Sequence, residues 1–193
     1  LMPIWTPSEI ETAFWIDADT ENESFVLDGK IVAFRDRSGK GRHLSENISD
    51  FGLPLEDTST FVDRSSARFN NQVMKAQTPG MEALTEVGVF VVVVLDNDIP
   101  ATTNKSGIWG IADNSGNSQS HYPWIDGNIY DSTGSTTRHA FSAAAIGLDI
   151  PHIYNVNSKS GFWEYRYNSV SKHETTTNTV GLKDNITIGA TGI

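Results

Sequence analysis

Residues 87–95 read Val-Gly-Val-Phe-Val-Val-Val-Val-Leu, a run that is apolar on both faces of an extended chain. Successive side chains of a strand point to opposite sides, so this run is expected to form a central strand covered on each face. It is less than half as long as the roughly 20 residues that a membrane-spanning helix needs. It is also the longest apolar run in the sequence, so no membrane insertion is expected.

Short β-like runs surround it, separated by Gly, Asn, Asp, Ser and Pro. They are Ala13–Ala18, Lys30–Arg35, Ala67–Asn70, Gly107–Ala112, Asn128–Asp131, Arg138–Ala145, His152–Val156, Phe162–Tyr167 and Ile186–Ile188. Many short strands with turn signals between them predict an all-β fold, a jelly-roll β-sandwich of two antiparallel sheets. Phe162–Tyr167 alternates, with Trp163, Tyr165 and Tyr167 on one face and Phe162, Glu164 and Arg166 on the other. The aromatic face is expected inside and the other face wetter. Thr6-Pro7-Ser8-Glu9 has the pattern of a capped helix start, with Pro at the first helical position, and predicts a short helix to about Ala13. Ser158–Gly161 and Thr175–Thr179 read as loops.

Composition narrows the function. The chain has 193 residues with a formal net charge of −10, no Cys and 38% hydrophobic residues. That is enough apolar material for one folded domain and too much for a disordered segment. Ten excess negative charges repel phosphate backbones, so nucleic-acid binding is not expected. Without Cys there is no disulfide scaffold and no thiol chemistry, and stability must come from packing.

Two stretches carry a resemblance. Ala13-Phe14-Trp15-Ile16-Asp17-Ala18-Asp19, followed by Phe34-Arg35-Asp36-Arg37-Ser38-Gly39-Lys40-Gly41-Arg42-His43, resembles the opening of concanavalin A-like, laminin-G-like jelly rolls. Their pattern is a W-L-D-A strand followed by W-x-D-x-S-G-N-G; here Phe34 replaces the second Trp and Lys40 replaces Asn. The likeness continues through Ala67–Asn70, the Val87 run, His121–Asp131, His152–Tyr154 with Trp163–Asn168, and Ile186–Ala190, so it spans nearly the whole chain. It implies an N-terminal segment over residues 1–13 and one jelly-roll domain over residues 14–193. Such domains occur in tailed-bacteriophage structural proteins and in secreted bacterial surface proteins. The resemblance also implies one more strand after Ile193, supplied by further chain or by a partner through β-augmentation.

The implied function is a non-catalytic virion structural or decoration protein of a tailed phage, with other virion proteins, sister copies and glycans as partners and the virion surface as location. The alternative is a polysaccharide-binding or adhesion module of a secreted bacterial surface protein. A glycoside hydrolase needs two carboxylates flanking the scissile bond. The E-x-D-x-x-E strand that supplies them in related glucanases has no counterpart here; Glu164 stands alone on its strand. Ser169-Val170-Ser171-Lys172 matches S-x-x-K but falls at an expected hairpin tip, where chance is the better reading.

For binding, His121, Tyr122, Trp124, Asp126 and Asn128 put aromatic surface beside amide and carboxylate groups, the combination that a sugar's apolar face and hydroxyls require. Core or rim packing is the competing reading for Tyr122 and Trp124. The histidines are scattered and predict no His metal site. Calcium takes oxygen ligands from loops. Asp96 and Asp98, after the Val87 run, form the calcium hypothesis, with turn formation as its competitor; otherwise no cofactor is expected. Asp36, Ser38, Gly39 and Gly41 are expected to form a turn whose glycines adopt positive φ and whose carboxylate bonds nearby amides.

Overall fold

The computed structural model describes residues 11–18, 24–47, 52–61, 64–97, 99, 101, 107–111, 119–143 and 147–189. The described residues form antiparallel strand pairs and no α-helix. The helix expected from Thr6 lies largely outside the described residues, and its last stretch, residues 11–13, is not helical. The chain divides into two compact units, Leu1–Thr78 and Pro79–Ile193.

The first unit holds β1 (Ser24–Leu27), β2 (Lys30–Phe34), β3 (Glu46–Asn47), β4 (Leu55–Phe61), β5 (Arg64–Arg68) and β6 (Val73–Gln77). One sheet runs β1-β2-β4-β5, and β3 pairs with β6. Asp28 and Gly29 join β1 to β2 with φ of 52° and 71°, the paired positive values that a two-residue Asp-Gly hairpin turn requires. Ile31, Phe34, Leu44, Val73, Met74 and Ala76 are buried.

Asp36 is the polar hub of this unit. Oδ1 accepts the amides of Trp15 and Ser38, and Oδ2 accepts the amide of Arg42 and the hydroxyl of Ser38. Gly39 and Gly41, at φ 79° and 70°, let the loop curl round it as expected. Burial pushes the Asp36 carboxyl up, and the bonds from Arg42, Ser38 and Trp15 outweigh it, leaving the group below its ordinary range. Ala13–Ala18 forms no ladder, contrary to expectation; Arg37 holds it by donating its amide to the Trp15 carbonyl and setting its guanidinium 4.4 Å from the Trp15 ring centroid.

The second unit holds β7 (Glu86–Val93), β8 (Gly107–Gly110), β9 (Gln119–His121), β10 (Asn128–Asp131), β11 (His139–Ser142), β12 (His152–Lys159), β13 (Phe162–Tyr167), β14 (Val170–Thr175) and β15 (Asn185–Gly189). They form two sheets, β14-β13-β12-β7 and β11-β10-β9-β8-β15. Side chains from the two sheets interlock as in a sandwich. Trp163 of β13 stacks on His139 of β11 at 4.1 Å, Tyr165 stacks on Phe141 at 4.9 Å, and Tyr154 of β12 meets Trp109 of β8 edge-on at 6.3 Å. Trp163 and Tyr165 have no exposed surface, so the aromatic face of Phe162–Tyr167 lies inside as predicted.

Two expectations are corrected. The Val87 run takes an outer position in its sheet rather than a central one. Val87, Val89, Val91 and Val93 are half-buried, while Phe90 and Val92 on the opposite face are 63% and 66% exposed. A two-sided apolar pattern records side-chain character, and it is the strand's neighbours that decide what covers each face. The other face of β13 is also drier than expected, because Glu164 is only 4% exposed.

The buried polar groups between these sheets form connected sets, as burial of a donor or acceptor demands. Asp131 accepts the Tyr154 hydroxyl at 2.5 Å and the Thr133 amide at 2.7 Å. His152 Nδ1 lies 2.7 Å from the Ile150 carbonyl, which can only accept, so Nδ1 carries the hydrogen. Nε2 of the neutral ring therefore accepts from Tyr122, 2.9 Å away, and the Tyr122 oxygen accepts from Tyr165 at 2.6 Å.

Burial lowers the imidazoles of this unit. Desolvation, followed by the charge of His173, takes His139 down to about 4. His121, His152 and His173 are lowered by burial as well. A histidine whose folded pKa lies below its unfolded value supports folding fully above about pH 6.5 and loses that support as pH falls toward the folded value. The second unit is therefore expected to lose stability between about pH 6.5 and 4. His139 accounts for about 2 kcal/mol of this, after discounting for solvent access at the ring edge. Denaturant titrations across that interval check it, and His139→Phe should flatten the slope.

Candidate functional site

The segment His121–Asp131 builds one surface from a short ladder and a loop. Tyr130 pairs with His121, and Asp131 with Ser120. Directly paired residues share a face, so His121 lies on the side of Tyr130 and Ser120 on the inner side of Asp131, yet His121 is itself only 7% exposed. The next alternation sends Tyr122 inward. It is 1% exposed and committed to Tyr165 and His152, so it offers no surface to a ligand.

The loop then folds back on itself. Trp124 donates its amide to the Asn128 carbonyl at 2.7 Å, and the Gly127 amide returns to the Trp124 carbonyl at 2.9 Å. Gly127, at φ 78°, supplies the left-handed step in this return. Asp126 Oδ1 accepts the Asn128 amide at 2.9 Å, and Oδ2 accepts the Tyr130 hydroxyl at 2.8 Å. Those two bonds, Asn128 first, hold the Asp126 carboxyl below its ordinary value, and the same carboxylate pushes the Tyr130 phenol up. Trp124 meets His121 edge-on at 4.6 Å.

Of the five residues named from the sequence, Trp124, Asp126 and Asn128 thus lie together at the surface with Tyr130, while His121, 7% exposed and edge-on to Trp124, is buried like Tyr122. Trp124 and Tyr130 are half-buried aromatics beside an ionised acceptor and an amide. Tyr130 was legible as the second outward position of Asn128–Asp131, once β10 was recognised as alternating. The surface can stack an apolar ring face and accept hydroxyl hydrogens.

A second polar cluster lies on the side of the β14-β13-β12-β7 sheet away from the aromatic core. The register aligns Gly88, Asn157, Glu164 and Glu174 in one row and Phe90, Asn155, Arg166 and Ser171 in the next. Arg166 Nε stands 2.8 Å from Glu164 Oε2. Burial raises the Glu164 carboxyl, but bonds from Arg166, Ser171 and Asn157 and the Arg166 charge together leave it below its ordinary value. Glu164 is thus fixed as an ionised acceptor and is ill suited to donating a proton. The sequence reading left Glu164 alone on its strand. The signal it missed is the two-residue turn at Ser160-Gly161, which sets Lys159 opposite Phe162 and thereby Asn157 opposite Glu164.

The remaining candidates do not assemble into a site. Asp98 lies outside the described residues, Asp96 is described without it, and no group of three or more potential metal ligands occurs among the described residues. The histidines are less scattered than expected, since His139 and His173 approach to 6.0 Å between ring centroids around Trp163. Ser169 sits with Asn168 in the β13–β14 turn, both at positive φ, so the S-x-x-K match falls on a hairpin tip. Compared with known proteins, the chain matches no family model and no curated protein.

Proposed function

We propose that this chain is a non-catalytic carbohydrate-binding domain of a tailed-phage virion protein, folded as a concanavalin A-like jelly roll. The observation that carries the binding reading is the convergence of Trp124, Tyr130, Asp126 and Asn128 on one outward surface, with the buried His121 packed edge-on against Trp124. Aromatic surface next to fixed acceptors and donors is what a pyranose needs, an apolar face to lie on and partners for its hydroxyls. The virion assignment rests on the resemblance of the Trp15 and Asp36 motifs and their successors to phage laminin-G-like domains. Sister copies or other virion proteins are the partners it implies.

Trp124→Ala is expected to weaken glycan binding about tenfold, the loss of one stacking aromatic, while the melting temperature changes little. A glycan array followed by titration calorimetry on the best hit measures both. An array without hits for the wild type, or Trp124→Ala binding as well as wild type, overturns the sugar reading at this surface. Release of reducing ends from β-glucans overturns the non-catalytic reading. Location is tested separately: mass spectrometry of purified particles should find the chain, and its absence from particles beside a secreted pool overturns the virion assignment.

A further inference from the structure

We infer that β7 is a self-association edge. Two copies of this chain pair their β7 strands antiparallel about a two-fold axis at Phe90, which joins their β14-β13-β12-β7 sheets into one. The virion reading names sister copies as partners, but this interface stands on the strand alone and does not depend on that reading.

Three observations support it. First, the edge is unprotected. β7 is the last strand of its sheet and pairs only with β12 among the described strands, so one row of its main-chain groups has no ladder partner there. Proteins blunt such edges with charge, Pro, a bulge or shortness. From Val87 to Leu95 there is no charged residue and no Pro, and the eight pairs with β12 run without a break in register. Second, both faces lack cover at this edge. Phe90 and Val92 are mostly exposed on the outward face, and the core-facing Val87, Val89, Val91 and Val93 are only half-buried. A strand laid alongside closes both faces at once. Third, the strand is complementary to itself. Two antiparallel copies match outward face to outward face only if the axis passes at a residue rather than between two. With the axis at Phe90, Val92 of each copy falls opposite Gly88 of the other, and Val87 and Val89 fall opposite Val93 and Val91. The two rings then meet at the axis, Gly88 leaves room beside each Val92, and the core side becomes a row of valine pairs.

Charge selects the same arrangement. The antiparallel register sets Glu86 of each copy opposite Val94 of the other, at the two far ends of the contact, and each Glu86 already stands opposite Lys159 of its own β12. A parallel pairing in the same register would set the two Glu86 side by side. A charged partner strand finds no counterpart anywhere along Val87–Leu95, whereas a second copy brings the same uncharged stretch. The formal net charge of −10 on each copy opposes their encounter, so association should strengthen as salt rises, the reverse of a contact made by ion pairs. One edge strand is a small contact beside the roughly 1,600 Å² of a standard interface, so the dimer should dissociate in the micromolar range.

Sedimentation equilibrium of the full chain at low and high salt tests it. The wild type should form a dimer and no larger species, tighter in high salt. Phe90 is exposed, so Phe90→Lys and Phe90→Glu should each keep the melting temperature while weakening dimerisation at least tenfold, since like charges then meet on the axis. Mixing the two variants should restore dimers, because opposite charges then face each other there. Val92→Asp, which brings a carboxylate into the contact near Glu86 of the other copy, should also weaken it and keeps the proposal falsifiable should a Phe90 variant misfold. Trp124→Ala should dimerise as the wild type does, which separates this interface from the glycan surface. A wild type that stays monomeric up to about 100 µM overturns the proposal. Protection of the β7 amides from hydrogen exchange in such a monomer would assign the edge to another segment. Open-ended assembly overturns it, as does a Phe90→Lys protein that dimerises like wild type, or a failure of the mixed variants to recover.

Discussion

Asp131→Ala is expected to destabilise the second unit by about 3–5 kcal/mol, enough to unfold a substantial fraction of molecules at physiological temperature. Asp131 has no exposed surface, and its two oxygens are where the Tyr154 hydroxyl and the Thr133 amide end. Truncation leaves both donors facing a dry cavity, and each unmade bond costs about 1–3 kcal/mol. Tyr154 lies on the facing sheet, so the loss falls on the contact between sheets rather than on one ladder. Asp131→Asn keeps one oxygen and the volume and should cost about 1–2 kcal/mol. Urea titration at neutral pH measures both. An Asp131→Ala protein within 1 kcal/mol of wild type would mean that the network does not hold the sheets together.

Gly134→Ala comes next, at about 2–4 kcal/mol. Gly134 follows β10 at φ +66°, where a Cβ costs about 1 kcal/mol by itself. The added methyl would also stand 2.5 Å from Val87 Cγ1 and 2.9 Å from Ser158 Cβ. Neither neighbour is the loose end of a long side chain, so the strands must part, an overpacking cost of about 1–3 kcal/mol. The shift would strain the Gly134 carbonyl, which accepts from Ser158 Oγ at 2.6 Å and the Gly181 amide at 3.2 Å. Gly39→Ala is the control. Gly39 shares the positive φ but meets nothing within 4 Å, so it should show only the conformational cost of about 1 kcal/mol. Equal effects at the two glycines would show that backbone strain alone governs both.

Much of the second unit was legible because its strands carry the period-two contrast that such a reading needs. Asn128–Asp131 and Phe162–Tyr167 have the bounds expected of them, and the aromatic face of the latter is the core face. The expected run Ala67–Asn70 catches only the end of β5, and β4 goes unread, because Leu55–Phe61 and Arg64–Arg68 contain no fully buried position and no apolar face marks them as strands. β14 was missed for the same reason, being mostly exposed. The Val87 run was recognised as a strand but misplaced in its sheet, since its partner, His152–Lys159, lies far along the chain. Of the five candidate residues, Trp124, Asp126 and Asn128 lie at the surface beside Tyr130, and His121 and Tyr122 are buried. Tyr122 sits one alternation away from His121, and that single step decides which side of the sheet it serves.

The bonds from Tyr165 through Tyr122 to His152 have a sense of travel. A hydroxyl can ordinarily reverse its hydrogen, and a neutral imidazole can exchange tautomers. Here the Ile150 carbonyl removes both freedoms at once, because it fixes the hydrogen on Nδ1 and every later link must point toward it. One main-chain oxygen in the bend before β12 thus chooses a single arrangement of protons for three aromatic side chains drawn from β12, β13 and the segment after β9. An interior that would otherwise be a small mixture of equivalent states is given one polarity.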